Sequence, residues 1–181
     1  MKKRFFSISL LLVLFISTAS INAQKFEQPV LISSAGQSAD VKLVKMLAQR
    51  QNIDATTVLM AKESDLEGVK TLIIVPGFSS KGLGAAGVSQ QEEYERVEAV
   101  IKAANAKKIP IVLMHIGGNA RRQGQSDAFN TLVADNAKEM IVVKQADEDG
   151  FFTQLANKNN IPLTLVEKIV DASGPMAALF N

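Results

Sequence analysis

The 181-residue chain has no cysteine and no tryptophan, and only one histidine and one tyrosine. Without cysteine there is no disulfide, no lipidated N-terminal cysteine and no thiolate metal site, so stability must come from packing. One imidazole is too few for a transition-metal centre. The absent tryptophan and the single Tyr94 also argue against a flavin, which is commonly held by stacked rings. No cofactor is expected.

An excess of charge is missing as well. The chain has 20 Lys and Arg against 18 Asp and Glu, but Lys2, Lys3 and Arg4 sit at the extreme N-terminus, which leaves 17 against 18 beyond them. A near-neutral remainder gives no electrostatic case for nucleic acid or an anionic membrane. Those three bases precede an apolar run from Phe5 to Ile16, broken only by Ser7 and Ser9, and then small and polar residues up to Ala23. This is the pattern of a secretory signal peptide over residues 1–23, cleaved before Gln24, and the apolar run is too short for a spanning helix. The expected product is residues 24–181, one domain in the periplasm or secreted, with no membrane insertion after cleavage.

Within that domain, apolar runs of strand length recur at Pro29 to Ile32, Thr56 to Leu59, Thr71 to Val75, Pro110 to Met114, Met140 to Val143 and Leu163 to Val166. The runs Leu72–Val75 and Ile111–Met114 are continuous, as strands buried on both faces should be. Helical patterns alternate with them. Val41, Val44, Leu47 and Ala48 share one stripe. Ser89 and Glu92 form a capping box ahead of the face Tyr94, Val97, Ile101 and Ala104. Glu92–Arg96 and Glu98–Lys102 have the spacing of solvent-side pairs. Ser126 is placed to cap a helix carrying Phe129, Leu132 and Val133. A further helix carries Phe151, Phe152 and Leu155, and a last one ends near Phe180. Only a turn or two of helix fits between Glu63 and Gly68. The alternation predicts a single three-layer α/β/α domain with a mostly parallel, flavodoxin- or Rossmann-like sheet.

Three glycine-rich turns follow these strands. In an open parallel sheet such turns meet at the strand C-terminal edge, where ligands bind. The first, Ser33, Ser34, Gly36, Gln37 and Ser38, leads into a helix whose first turn holds Asp40. Its hydroxyls and helix N-terminus suit a phosphate or carboxylate, and Ser38 alone would also serve as a plain cap. The turn is similar to the phosphate loop of flavodoxins, from which it departs at Ala35. The second turn holds Gly77, Ser79, Ser80, Lys81 and Gly82. Its Gly82-Leu83-Gly84-Ala85-Ala86-Gly87 is formally GxGxxG, but it starts several residues after the strand and lacks a following acidic residue for a ribose. Leu83 stands where a P-loop needs lysine, and Lys81 stands where a nucleophile elbow needs its last glycine. The segment reads as a flexible flap, with Lys81 either a point charge for an anion or a solvated surface group. The third turn brings His115, Gly117, Gly118 and the pair Arg121-Arg122, of which one arginine at most would reach a ligand. Asp147, Glu148 and Asp149 lack the spacing of a calcium loop and read as a helix cap, so no metal site is expected.

The segments Ser34 to Asp40, Ser79 to Gly87 and His115 to Gly118 resemble a family of small secreted bacterial Rossmann-like proteins without an established activity. That resemblance covers nearly all of the domain and implies its fold and export, not a catalytic residue. Four functions remain open. The leading one is a binding module for a small anionic ligand at the strand edge. Others are a hydrolase or transferase pairing a serine with His115, a flavin-binding protein, and an interaction domain without a small-molecule site. If the strand order is 2-1-3-4-5, the first and second turns are neighbours across the switch point, with the third beside them.

Overall fold

The computed structural model describes residues 26–180. The expected leader and its cleavage point lie outside the described residues. Six strands form one parallel sheet: β1 (Val30–Ala35), β2 (Ala55–Thr57), β3 (Thr71–Pro76), β4 (Ile111–His115), β5 (Glu139–Val143) and β6 (Leu163–Val166), in the order β2-β1-β3-β4-β5-β6. The continuous apolar runs are the central strands. Every residue of β1, β3 and β4 is buried, because helices cover both faces. The β1–β3 ladder runs from Val30 opposite Thr71 to Ala35 opposite Pro76, so the first two turns leave the sheet side by side.

Among the described residues six α-helices accompany the sheet: α1 (Val41–Arg50), α2 (Ser80–Ala86), α3 (Gln90–Ala106), α4 (Gln125–Ala134), α5 (Phe151–Asn159) and α6 (Ser173–Ala178). Right-handed crossovers put α1 on one face, where α6 packs beside it, and α3, α4 and α5 side by side on the other. The α1 stripe Val41, Val44, Leu47 and Ala48 is buried against the sheet, while Leu43 and Met46 face outward. Phe26 closes the core against Phe180, with ring centroids 6.5 Å apart. Its N–H donates to the Leu179 carbonyl at 3.1 Å, which ties the two ends of the described chain together.

Four local expectations are corrected. The second strand is Ala55–Thr57 and stops before Leu59, whose carbonyl leaves the ladder to accept the Ser33 hydroxyl and the Ser34 N–H. The flap is the helix α2, capped by the Ser79 hydroxyl, which accepts the Gly82 N–H at 3.1 Å, and closed by the left-handed Gly87. Glycine and small residues fold there because Leu83 is buried and the helix lies on the first turn. Ser126 sits inside α4, not at its cap, and its hydroxyl accepts the Phe78 N–H at 3.1 Å. Arg96 pairs with Glu93 in the interior, not with Glu92 in solvent. The Ser89–Glu92 capping box forms as read.

The buried stripe of α1 sets a contrast. Leu47→Ala should cost about 2–5 kcal/mol of unfolding free energy and Leu43→Ala less than about 0.5 kcal/mol, measured by urea denaturation. Equal losses would mean that α1 docks by another face.

Candidate functional site

All three glycine-rich turns meet at the C-terminal ends of β1, β3 and β4, and the first two interlock. Gly77 N–H donates to the Ala35 carbonyl at 2.8 Å, and Ser79 N–H to the Gly36 carbonyl at 2.8 Å. Gln37 and Phe78 form an isolated antiparallel bridge. A Cβ on Gly82 would collide with the Gln37 carbonyl oxygen, so α2 rests directly on the first turn. The first two loops therefore pack directly on one another.

Each hydroxyl of the first turn has its own place. Ser33 Oγ donates to the Leu59 carbonyl at 3.1 Å. Ser34 Oγ is buried with no partner among the described residues. Ser38 Oγ, fully buried, donates to Asp40 Oδ2 at 2.7 Å and accepts the Asp40 N–H at 3.2 Å. It organises Asp40, the α1 N-cap residue, whose own side chain caps no N–H of the helix. In the second turn Ser79 is committed to capping α2, while Ser80 and Lys81 are exposed.

The third turn supplies the group that crosses the site. Arg121 Nη1 donates to the Phe78 carbonyl at 3.0 Å, and its Nε lies 3.4 Å from Asp40 Oδ2. Both side chains keep some exposure, 27% and 17%, and no described residue accepts from Arg121 Nη2. Two glycines make this path. A Cβ on Gly117 would collide with Arg121 Cγ and lie 2.5 Å from Asp40 Oδ2. A Cβ on Gly77, where φ is +151°, would lie 3.0 Å from Arg121 Cδ. Gly118 backs onto the Gln145 side chain instead.

Arg122 points elsewhere. Its guanidinium bonds Asp127 at 2.9 Å, Asp149 at 2.9 Å and the Ala146 carbonyl, and lies 4.1 Å over the Phe151 ring. It latches the third turn to α4 and α5, so only one of the two adjacent arginines faces the edge. Asp147 and Asp149 accept N–H groups from Phe151, Phe152 and Thr153, the helix cap expected. Among the described residues no group of three or more His, Cys, Asp or Glu is placed to hold a metal ion, and no helix is long and apolar enough to cross a membrane.

The residues that hold the first turn went unread in the sequence. Glu93, fully buried, accepts the Gly36 N–H at 2.9 Å and Gln37 Nε2 at 2.9 Å. Arg96 bonds Glu93 at 2.8 Å, the Ser34 carbonyl at 2.7 Å and the Ala61 carbonyl at 2.8 Å. The signal was available, because Glu93 lies one turn before Val97 on the stripe that continues through Val100, Ile101 and Ala104.

The family model of a domain of unknown function, DUF6305, matches residues 27–180. The chain belongs to the DUF6305 family. None of the curated proteins matches it. Among solved structures it is similar to a GDSL-like lipase from Bacteroides thetaiotaomicron, at 11% identity and a TM-score of 0.35, covering 75% of this chain and 66% of the lipase, just under two thirds of that protein. It is also similar to the psychrotrophic esterase EstA from Pseudoalteromonas sp., at 17% identity and a TM-score of 0.32 over 76% of each chain. A third is the SGNH-hydrolase family esterase AlinE4, at 15% identity and a TM-score of 0.29 over 86% of this chain and 84% of that one. No residue role is carried over from them.

In this DUF6305 domain His115 is fully buried at the end of β4, 4.8 Å from the Phe152 ring. Its Nε2 lies 3.0 Å from the Arg121 carbonyl. A carbonyl only accepts, so Nε2 carries the proton and Nδ1 is a bare acceptor, without a partner among the described residues. Asn130 Nδ2 donates to the same carbonyl at 3.2 Å. None of the candidate serine hydroxyls bonds the imidazole, so the serine–histidine pair is not assembled. Burial lowers the His115 pKa, with Arg122 adding to the effect and the Arg121 carbonyl and Asp40 opposing it.

Two predictions concern stability. Glu93→Ala leaves Arg96 buried without its partner and should cost about 3–5 kcal/mol in urea denaturation, and the double change Glu93→Leu with Arg96→Met should recover little of it, because the Gly36 N–H and the Ser34 and Ala61 carbonyls then lose their partners. A small loss in the single variant would remove the pair from its supporting role. The second concerns pH. Unfolded His115 takes a proton below its ordinary value of 6.5, which the folded state resists, so its contribution is lost as pH falls. Glu139 acts oppositely: burial pushes its carboxyl from 4.5 up to about 7, so the folded state keeps a proton that unfolding releases, and stability is lost as pH rises through that window. Between about pH 5 and pH 7 the unfolding midpoint should therefore rise with pH in Glu139→Gln and fall in His115→Gln. The same slope in both variants would exclude these groups as the source.

Proposed function

We propose that this domain is an extracytoplasmic binding module for a small phosphate- or carboxylate-bearing ligand, received by Arg121 at the C-terminal edge of the sheet. The observation that carries this reading is the way Arg121 is held. Gly77 and Gly117 make room for its side chain and the Phe78 carbonyl fixes one of its nitrogens, yet its contact with Asp40 is a loose 3.4 Å and Nη2 stays open. A guanidinium anchored on one side and open on the other suits an incoming anion, which it can bind through two parallel N–H groups. At 3.4 Å the Nε–Asp40 contact is longer than a hydrogen-bonded ion pair, so an incoming anion would compete with Asp40 for the guanidinium. Lys81, exposed on the first turn of α2, adds a second positive charge to the same edge.

The binding reading is favoured over the hydrolase or transferase reading because His115 donates its Nε2 proton to the backbone and meets no serine. The purified protein should be stabilised against heat by inorganic phosphate or by a simple carboxylate. Saturation at about 100 times the dissociation constant corresponds to about 2.7 kcal/mol. Arg121→Gln should weaken that binding about ten- to a hundredfold, whereas Lys102→Gln, exposed toward the C-terminal end of α3, should leave it unchanged. A flat response to every anion, or an undiminished response in Arg121→Gln, would overturn the proposal.

A further inference from the structure

Beside the Arg121 side chain, a trough of about 440 Å³ opens over the C-terminal ends of β4, β5 and β6. Its apolar lining comes from Ile116 and Val143, both buried, and from Ile169 and Val170 in the short turn Ile169–Ala172 that follows β6. Ile169 is 39% exposed and Val170 54% exposed, two large aliphatic side chains left facing water. Its volume falls within the range of small-molecule sites, toward the lower end. On the rim Glu167 is paired with Lys144 Nζ at 2.6 Å, while Lys168 adds an exposed cation. The lining by Ile116, Val143, Ile169 and Val170 suits an aliphatic chain.

Gly117 connects the trough to the anion site. It lines the trough, and Arg121 Cγ and Asp40 Oδ2 occupy the space where its side chain would be. We infer that the ligand is amphiphilic: a carboxylate whose head meets Arg121 and whose aliphatic chain lies in the trough past Gly117 against Val143, Ile169 and Val170. The inference rests on the Arg121 reading and specifies the ligand class for it. Asp40 restrains the site, because its carboxylate competes for the same guanidinium. The exposed Ile169 and Val170 supply the gain on binding, since the chain removes them from water.

The test is a series of straight-chain carboxylates, acetate, butanoate, hexanoate and octanoate, titrated into the full protein by calorimetry beside inorganic phosphate. Affinity should rise about two- to fourfold per methylene while the chain remains in the trough, then level off. Asp40→Asn should tighten every member of the series severalfold. Val170→Asp should flatten the dependence on chain length, and Leu43→Asp, another exposed apolar site, on α1, should leave it intact. Binding of acetate and phosphate with no dependence on chain length would overturn this inference and leave the Arg121 site standing. Binding of no anion would remove both. A chain-length dependence that survives Val170→Asp, or that Leu43→Asp abolishes equally, would place the aliphatic contact elsewhere and overturn it as well.

Discussion

A carboxylate with no exposed surface receives four hydrogen bonds beneath the sheet edge: Glu93 accepts from the Gly36 N–H, from Gln37 Nε2 and twice from Arg96. Burying such a charge is tolerable only when it is paired and fully bonded, and here the partners are the first glycine turn itself and an arginine one helical turn away. Arg96 extends the same network to the Ser34 carbonyl near the end of β1 and to the Ala61 carbonyl beyond β2. The remainder of the edge is stacked on this pair. The first turn receives α2, the Phe78 carbonyl at the start of α2 steadies Arg121, and Arg121 lies across the first turn's own Asp40.

Much of the architecture was legible because it follows from periodicity. Continuous apolar runs become central strands, the stripe Val41, Val44, Leu47 and Ala48 becomes the buried face of α1, and Ser89 with Glu92 opens α3. The strand order, which the sequence left open, is 2-1-3-4-5 with β6 beside β5. The misreadings share a cause. Glycine and alanine between Gly82 and Gly87 have weak or ambiguous local preference, and the contact of α2 with Gln37 decides their conformation. Ser126 has the chemistry of a cap, yet the Phe78 N–H claims its hydroxyl from another element. Arg96 could reach either Glu92 or Glu93, and only the burial of the latter selects it.

The site was legible as a place and not as an arrangement. Glycines after strands mark where loops gather, and all three turns do gather. Which arginine turns inward could not be read from an adjacent pair, because the choice depends on a cage of Asp127, Asp149 and Phe151 drawn from two later helices. The roles of Gly77 and Gly117 are likewise relational, since each is small because Arg121 passes beside it. His115, conspicuous as the only histidine, is a donor to the backbone that shapes the third turn.

The Arg121 carbonyl is held by two donors from different elements, His115 in β4 and Asn130 in α4, while its neighbour Arg122 is clamped to α5. A loop restrained at three points has little conformational freedom left to lose when something docks on it. For the proposed ligand, binding would then exchange the Arg121–Asp40 contact more than it would order the loop, and differences among ligands should be expressed in how slowly each departs.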